Sequence, residues 1–196
     1  MFVGYNKKRK INLAIHLSAI IMIQAQLTEK LSALERATLA LLDHATTFPE
    51  AARTAKPALD TWSPIEVVYH LYLSERMSQL LVQRFISSGK KAPQESLKSS
   101  IGMWKLRFGN LLPVRIKAPG PVAKIPSNLE WDRVREEWLA QRRDLQSWLV
   151  GLSDEVVTST CFRHPIAGDI SLVQMLDFFL IHLNRHEQQI RKRLRA

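Results

Sequence analysis

The stretch His182-Leu-Asn-Arg-His186 decides how the rest of the chain is read. On an α-helix, residues four apart share a face with Cβ atoms about 6 Å apart, so two imidazoles at this spacing can hold one metal ion without bending the backbone. The flanking residues predict that helix. Met175, Phe178, Phe179, His182, His186 and Gln189 recur at steps of three and four and form one stripe, so the histidines continue the apolar face. A ring nitrogen on a buried face needs a partner. A metal ion is one such partner, with His70 on another helix as the candidate third ligand. His-x3-His also arises by chance on helices, so spacing alone leaves both the ion and an ordinary packed pair open.

Upstream, Ser171-Leu-Val-Gln174 is a capping box that opens this last helix. A second box, Ser63-Pro-Ile-Glu66, has proline at the first helical position and Trp62 placed as a hydrophobic staple. It predicts a helix to about Ser88, stopped by Gly89. His70 lies less than two turns from that cap, which fixes its register beside Val67, Leu71 and Ser74, with Met77 on the same side. Glu66, four residues earlier, could orient the second ring nitrogen of His70, but the box already accounts for it. Leu27, Leu31, Leu34, Thr38, Leu41 and Ala45 predict a first helix, with His44 as a surface histidine at its end. Trp131, Val134, Trp138, Leu145, Trp148 and Leu152 predict another over 129–152, with Gln141 as a polar break in the stripe. Residues 90–128 carry five prolines and one short predicted helix over 97–112, and read as a crossover passing over one end of the molecule. Residues 153–170 read as a loop. The expected fold is all-α, a four-helix bundle with a long crossover between its second and third helices.

With 196 residues the chain is expected to be one domain with a substantial core. A single cysteine, Cys161, excludes an internal disulfide. Lys and Arg outnumber Asp and Glu by 28 to 18, a net charge of +10. The basic residues are scattered except for Lys7-Lys-Arg-Lys10 and Arg191-Lys-Arg-Leu-Arg195, both ordinary as solvated clusters near chain ends. Lys7–Lys10 followed by the apolar run over 11–23 has the outline of a signal peptide or anchor. The run is short of the about 20 residues a span requires, is interrupted by Asn12 and His16, and has no clear cleavage site after it. The favoured reading makes 1–21 an N-terminal helical extension and 22–196 the bundle domain, with Met22 as a clean beginning.

Other chemistry is weakly marked. No serine sits in a nucleophile turn with histidine and aspartate partners. Cys161-Phe-Arg-His164 has the spacing of a ligand pair, but no second cysteine completes a zinc ribbon, and His164-Pro165 reads as shaping a turn. Asp177 and Glu187 read as surface salt-bridge partners, and His16 as packing or surface. Neither a recognition helix nor an RNA-binding motif accompanies the positive charge.

The segments Trp62–Leu71, His164-Pro-Ile-Ala-Gly168 and His182-Leu-Asn-Arg-His-Glu-Gln-Gln189 together resemble the DinB-like superfamily, over about Met22 to Leu194. The resemblance implies a four-helix bundle with a three-histidine metal site, one histidine from the second helix and two from the fourth, here His70, His182 and His186. It also implies a divalent ion, zinc or nickel first and iron or manganese after them. Relatives with known activity include metal-dependent transferases that join low-molecular-weight thiols to electrophiles, alongside suspected hydrolases. The expected function is thus a metal-dependent thiol S-transferase or hydrolase acting on a small molecule, with Arg185 near the mouth to hold a carboxylate. A non-catalytic metal-binding stress-response protein is the alternative. The expected location is the cytoplasm, with a homodimer as the candidate assembly and neither nucleic acid nor membrane as partner.

Overall fold

The computed structural model describes residues 3–111 and 120–195, which are mostly helical. The order is α1 (Val3–Thr46), α2 (Glu50–Thr54), α3 (Pro64–Ser87), α4 (Leu97–Leu111), a 3-10 turn (Gly120–Ala123), α5 (Trp131–Val150), α6 (Asp154–Thr158), β1 (Phe162–His164), β2 (Gly168–Ile170) and α7 (Leu172–Leu194). Among the described residues no helix is long and apolar enough to cross a membrane.

Both predicted capping boxes form. The Ser63 N–H donates to Glu66 Oε2 at 2.7 Å, and the Glu66 N–H to Ser63 Oγ at 3.4 Å. At α7 the Ser171 N–H donates to Gln174 Oε1 and the Gln174 N–H to Ser171 Oγ, both at 3.2 Å. Each box satisfies two amides that helix geometry leaves orphaned, so the start of each helix is fixed to the residue. Lys56 reaches Glu66 at 2.8 Å, so that carboxylate is taken up by its cap and an ion pair.

Helix α7 packs on both α1 and α3, and α5 touches both of those helices. Two apolar clusters fill the space between them. Leu41, Leu42, Val67, Val68, Leu71, Trp138, Leu183 and Ile190 form one, and Leu27, Leu34, Leu145, Leu149, Met175 and Phe179 belong to the other. Trp131 and Trp138 are core residues as their spacing predicts. The polar break also lies inside. Gln141 donates to Gln79 at 3.2 Å, and its neighbour Arg142 pairs with Glu75 at 2.7 Å and donates to Thr38 at 3.0 Å. Trp138 Nε1 donates to the other Glu75 oxygen at 2.9 Å. This buried network joins α1, α3 and α5.

The stretch over 153–170 is more ordered than a loop. It holds α6 and a hairpin with Phe162 opposite Ile170 and His164 opposite Gly168. Strands of three residues are too short to announce themselves by alternation, although Phe162 and His164 are buried and Arg163 is exposed. Gly168 turns the chain with φ +75°, in the left-handed region that glycine tolerates. The crossover helix forms where predicted, as α4; residues 112–119, including Pro113 and Pro119, lie outside the described residues. At its centre Gly102 faces the hairpin, and a Cβ there would lie 1.9 Å from the Ala167 carbonyl oxygen. Gly102→Ala is therefore expected to destabilise the protein by about 1–3 kcal/mol, despite alanine's better helix propensity. Urea denaturation of the two proteins measures this, and an unchanged midpoint would contradict the close packing.

Candidate metal centre

The packing of α7 against α3 brings together residues more than a hundred positions apart. His70 comes from the second turn of α3, and His182 and His186 from α7. One ring nitrogen from each lies within 4.8 Å of the others. The ring of His70 meets His182 at 5.2 Å and His186 at 5.1 Å between centroids, both nearly edge-on. His70 is buried, and the other two are half-buried.

Hydrogen bonds fix which nitrogens face inward. His70 Nδ1 lies 3.0 Å from the Val122 carbonyl oxygen. A carbonyl can only accept, so Nδ1 carries the proton and Nε2 keeps its lone pair. His186 Nδ1 donates in the same way to Gln189 Oε1 at 2.7 Å. His182 Nε2 stands 3.1 Å from His186 Nε2, while its Nδ1 is buried with no hydrogen-bond partner among the described residues.

This donor set suits a divalent ion. Zinc–imidazole bonds of roughly 2.0–2.1 Å place neighbouring ligand nitrogens about 3.3–3.4 Å apart in tetrahedral geometry and about 2.8–3.0 Å apart in octahedral geometry, which brackets the 3.1 Å between His182 and His186. One hydrogen bond between two of the rings would leave the third lone pair without a donor, whereas a single cation satisfies all three. Carbonyl acceptors behind metal-facing imidazoles are the usual means of fixing tautomer and orientation.

The surroundings hold the rings neutral. Burial lowers the pKa of His186 to about 4, with the charges of His70, Arg185 and Arg193 adding to it and the Gln189 bond opposing it. Burial carries His182 well below its ordinary value, reinforced by His186, His70, His164 and Arg185. His70 is lowered by burial and partly restored by its bond to Val122. Aromatic walls flank the rings: Trp62 lies 4.9 Å from His70, and Phe178 stacks on His182 at 5.4 Å.

Other sequence candidates fall elsewhere. His164 Nδ1 accepts the amides of Ile166 and Ala167 at 3.1 and 3.0 Å and so holds the hairpin turn, while its ring lies 4.3 Å from Phe178. Cys161 is buried, which raises its thiol pKa and suits packing better than reactivity. His44 is half-buried at the end of α1, edge-on to Phe48 at 5.4 Å. The side chain of His16 lies outside the described residues. Asp177 pairs with Lys30 and reaches Arg107 at 3.7 Å, and Glu187 pairs with Arg191 at 2.8 Å. Sequence reasoning missed the orienting role of Val122, because a backbone carbonyl leaves no side-chain signature. Sequence reasoning places Gln189 only in the stripe, although its i+3 spacing from His186 is the signal that could have shown it as a partner.

The chain belongs to the DinB superfamily, whose family model matches residues 33–190. All three histidines lie within that match. Comparisons with curated proteins and with solved structures gave no match.

The lowered values carry a stability consequence. Above pH 6.5 these histidines are neutral whether the chain is folded or unfolded. Below it the unfolded chain takes up protons that the folded one refuses, until the folded His164 and His186 titrate near pH 4. Metal-free protein should therefore lose thermal stability steadily between those limits. A melting temperature that is flat from pH 6.5 to 4.5 would show that the histidines are not desolvated in this way.

Proposed function

We propose that the protein is a four-helix-bundle, metal-dependent enzyme of the DinB superfamily, with His70, His182 and His186 as the ligands of one divalent ion. The bundle is formed by α1, α3, α5 and α7, and its crossover closes over His70. The observation that carries the reading is the convergence of three desolvated imidazoles, two of them with Nδ1–H anchored on a carbonyl oxygen. Zinc or nickel suits imidazole donors best, with iron or manganese as further candidates.

The reaction class is thiol S-transfer or hydrolysis of a small molecule. A bound divalent ion supplies Lewis acidity, which favours the thiolate of a bound thiol or lowers the pKa of water. The chain's own residues do the positioning. His182 and His186 are only half-buried, which leaves an approach from solvent and favours an open site over a closed structural one. Trp62 and Phe178 offer apolar walls, and the charge of Arg185 is felt at both α7 histidines and suits an anionic group on the substrate.

The ligand set is tested by competition with a colorimetric chelator. His70→Ala should weaken metal binding by more than roughly tenfold, and Gln189→Leu by about 10- to 100-fold through loss of ring orientation. His44→Ala should leave affinity unchanged, and circular dichroism should show the same helicity in all. Binding as tight in His70→Ala as in the parent would overturn the three-histidine site.

Catalysis is separated from a structural metal by cobalt substitution. An open coordination position should accept small thiols and add a sulfur-to-cobalt charge-transfer band. No spectral response to any of several thiols would remove the S-transfer reading and leave hydrolysis or a structural ion.

A further inference from the structure

Helix α4 buries one face and exposes an apolar one. Ser99, Gly102, Met103 and Leu106 pack inward. Leu97, Ile101, Trp104 and Phe108, at steps of four, three and four, form a stripe on the other side and are 83%, 54%, 60% and 50% exposed. The rings of Trp104 and Phe108 lie 4.3 Å apart, tilted by 43°, so the stripe is a coherent patch. Single exposed apolar residues are ordinary, but four on one helix, two of them aromatic, mark a contact surface.

Charge selects the partner. Lys98, Lys105 and Arg107 are exposed on the same helix, Lys90 and Lys91 precede it, and α4 contains no acidic residue. A basic helix with tryptophan, phenylalanine and leucine on its apolar side is the pattern of an element that lies in the headgroup region of an anionic bilayer. The covered face of α4 packs with α1. Ile23 and Leu27 of α1 share an apolar cluster with Met103 and Leu106, and Ile21 and Met22 just before them are 67% and 71% exposed. Further up α1 the sequence is Lys7-Lys-Arg-Lys10 followed by apolar residues. A two-fold pairing of chains through the stripe would set the same lysines and arginine against their copies, with no carboxylate on the helix to answer them.

We infer that the exposed Leu97–Ile101–Trp104–Phe108 stripe of α4, with its basic flanks, is a docking surface for anionic lipid bilayers. The protein adsorbs at the interface without spanning it, so the surface goes beyond the metal-site reading and is independent of it. The sequence reading expects no membrane partner, and the exposed face of α4 is the ground for departing from that expectation.

The test uses the full chain and flotation with vesicles of equal parts phosphatidylglycerol and phosphatidylcholine, against vesicles of phosphatidylcholine alone. Binding should favour the anionic vesicles by roughly tenfold or more and weaken as salt is raised. Trp104→Ser/Phe108→Ser replaces two exposed side chains and should keep its helicity while losing roughly tenfold or more of that binding. Brominated lipids should quench the parent's fluorescence and do so much less in the double variant. Equal binding by parent and double variant would overturn the proposal, since charge or α1 would then suffice. So would an absence of vesicle binding together with a dimer in sedimentation velocity that the double variant abolishes, because the stripe would then be an interface between copies.

Discussion

Three imidazole rings bring one nitrogen each within 4.8 Å of the others, and two of those nitrogens are held as lone pairs by hydrogen bonds on the far side of their rings. Each lone pair is an acceptor that water would otherwise satisfy, and stripping that water costs free energy unless a donor or a cation replaces it. Among the three rings a bridging donor can come only from His182, whose Nε2 stands 3.1 Å from His186 Nε2 and can serve one lone pair at most. The protons that could bridge the rings are held on the far side of His70 and His186 by Val122 and Gln189. Much of the fold serves to hold this cluster: the cap that sets the register of α3, the packing of α7 on α3, and the crossover that returns over His70.

A second costly arrangement lies elsewhere in the core and follows a different logic. Glu75 and Arg142 are almost wholly buried and pair with each other; Trp138 donates to the second Glu75 oxygen and Thr38 accepts from Arg142, while Nε and Nη1 of Arg142 are buried without a hydrogen-bond partner among the described residues. A buried pair of this kind is rarely worth more than well-packed apolar residues would be, but removing one partner leaves a stranded charge. The network fixes how α1, α3 and α5 lie against one another and does not extend to the histidines. The molecule thus carries one buried polar cluster in which opposite charges pair directly, and another in which three rings of one kind meet with no carboxylate among them.

How much was legible in the sequence depended on the kind of signal. The starts of α3 and α7 were readable to the residue because a capping box is local chemistry, encoded within four positions. The meeting of His70 with His182 and His186 required only that α3 and α7 be neighbours, and their apolar stripes made that the natural arrangement. The hairpin over 162–170 was hidden because its strands are shorter than any period they could display. Gln141 read as an interruption of an apolar stripe, and the ion pair behind it stayed out of view because Glu75 and Arg142 are distant in sequence and each looks like a surface charge in its own helix. The aromatic side of α4 was visible as a list of residues but not as a surface, since only packing shows which face of a short helix is covered.

The hydrogen bond from His70 to the carbonyl of Val122 places a structural duty on the backbone of a connecting segment and none on its side chain. Almost any residue type at that position can perform the duty, so a comparison of homologous chains would find little restraint there. The path of the segment is what must be kept. Insertions or deletions in the crossover would therefore disturb the cluster where point substitutions pass unnoticed, and an engineer retuning the site could do so by changing the length of the connection while leaving every histidine in place.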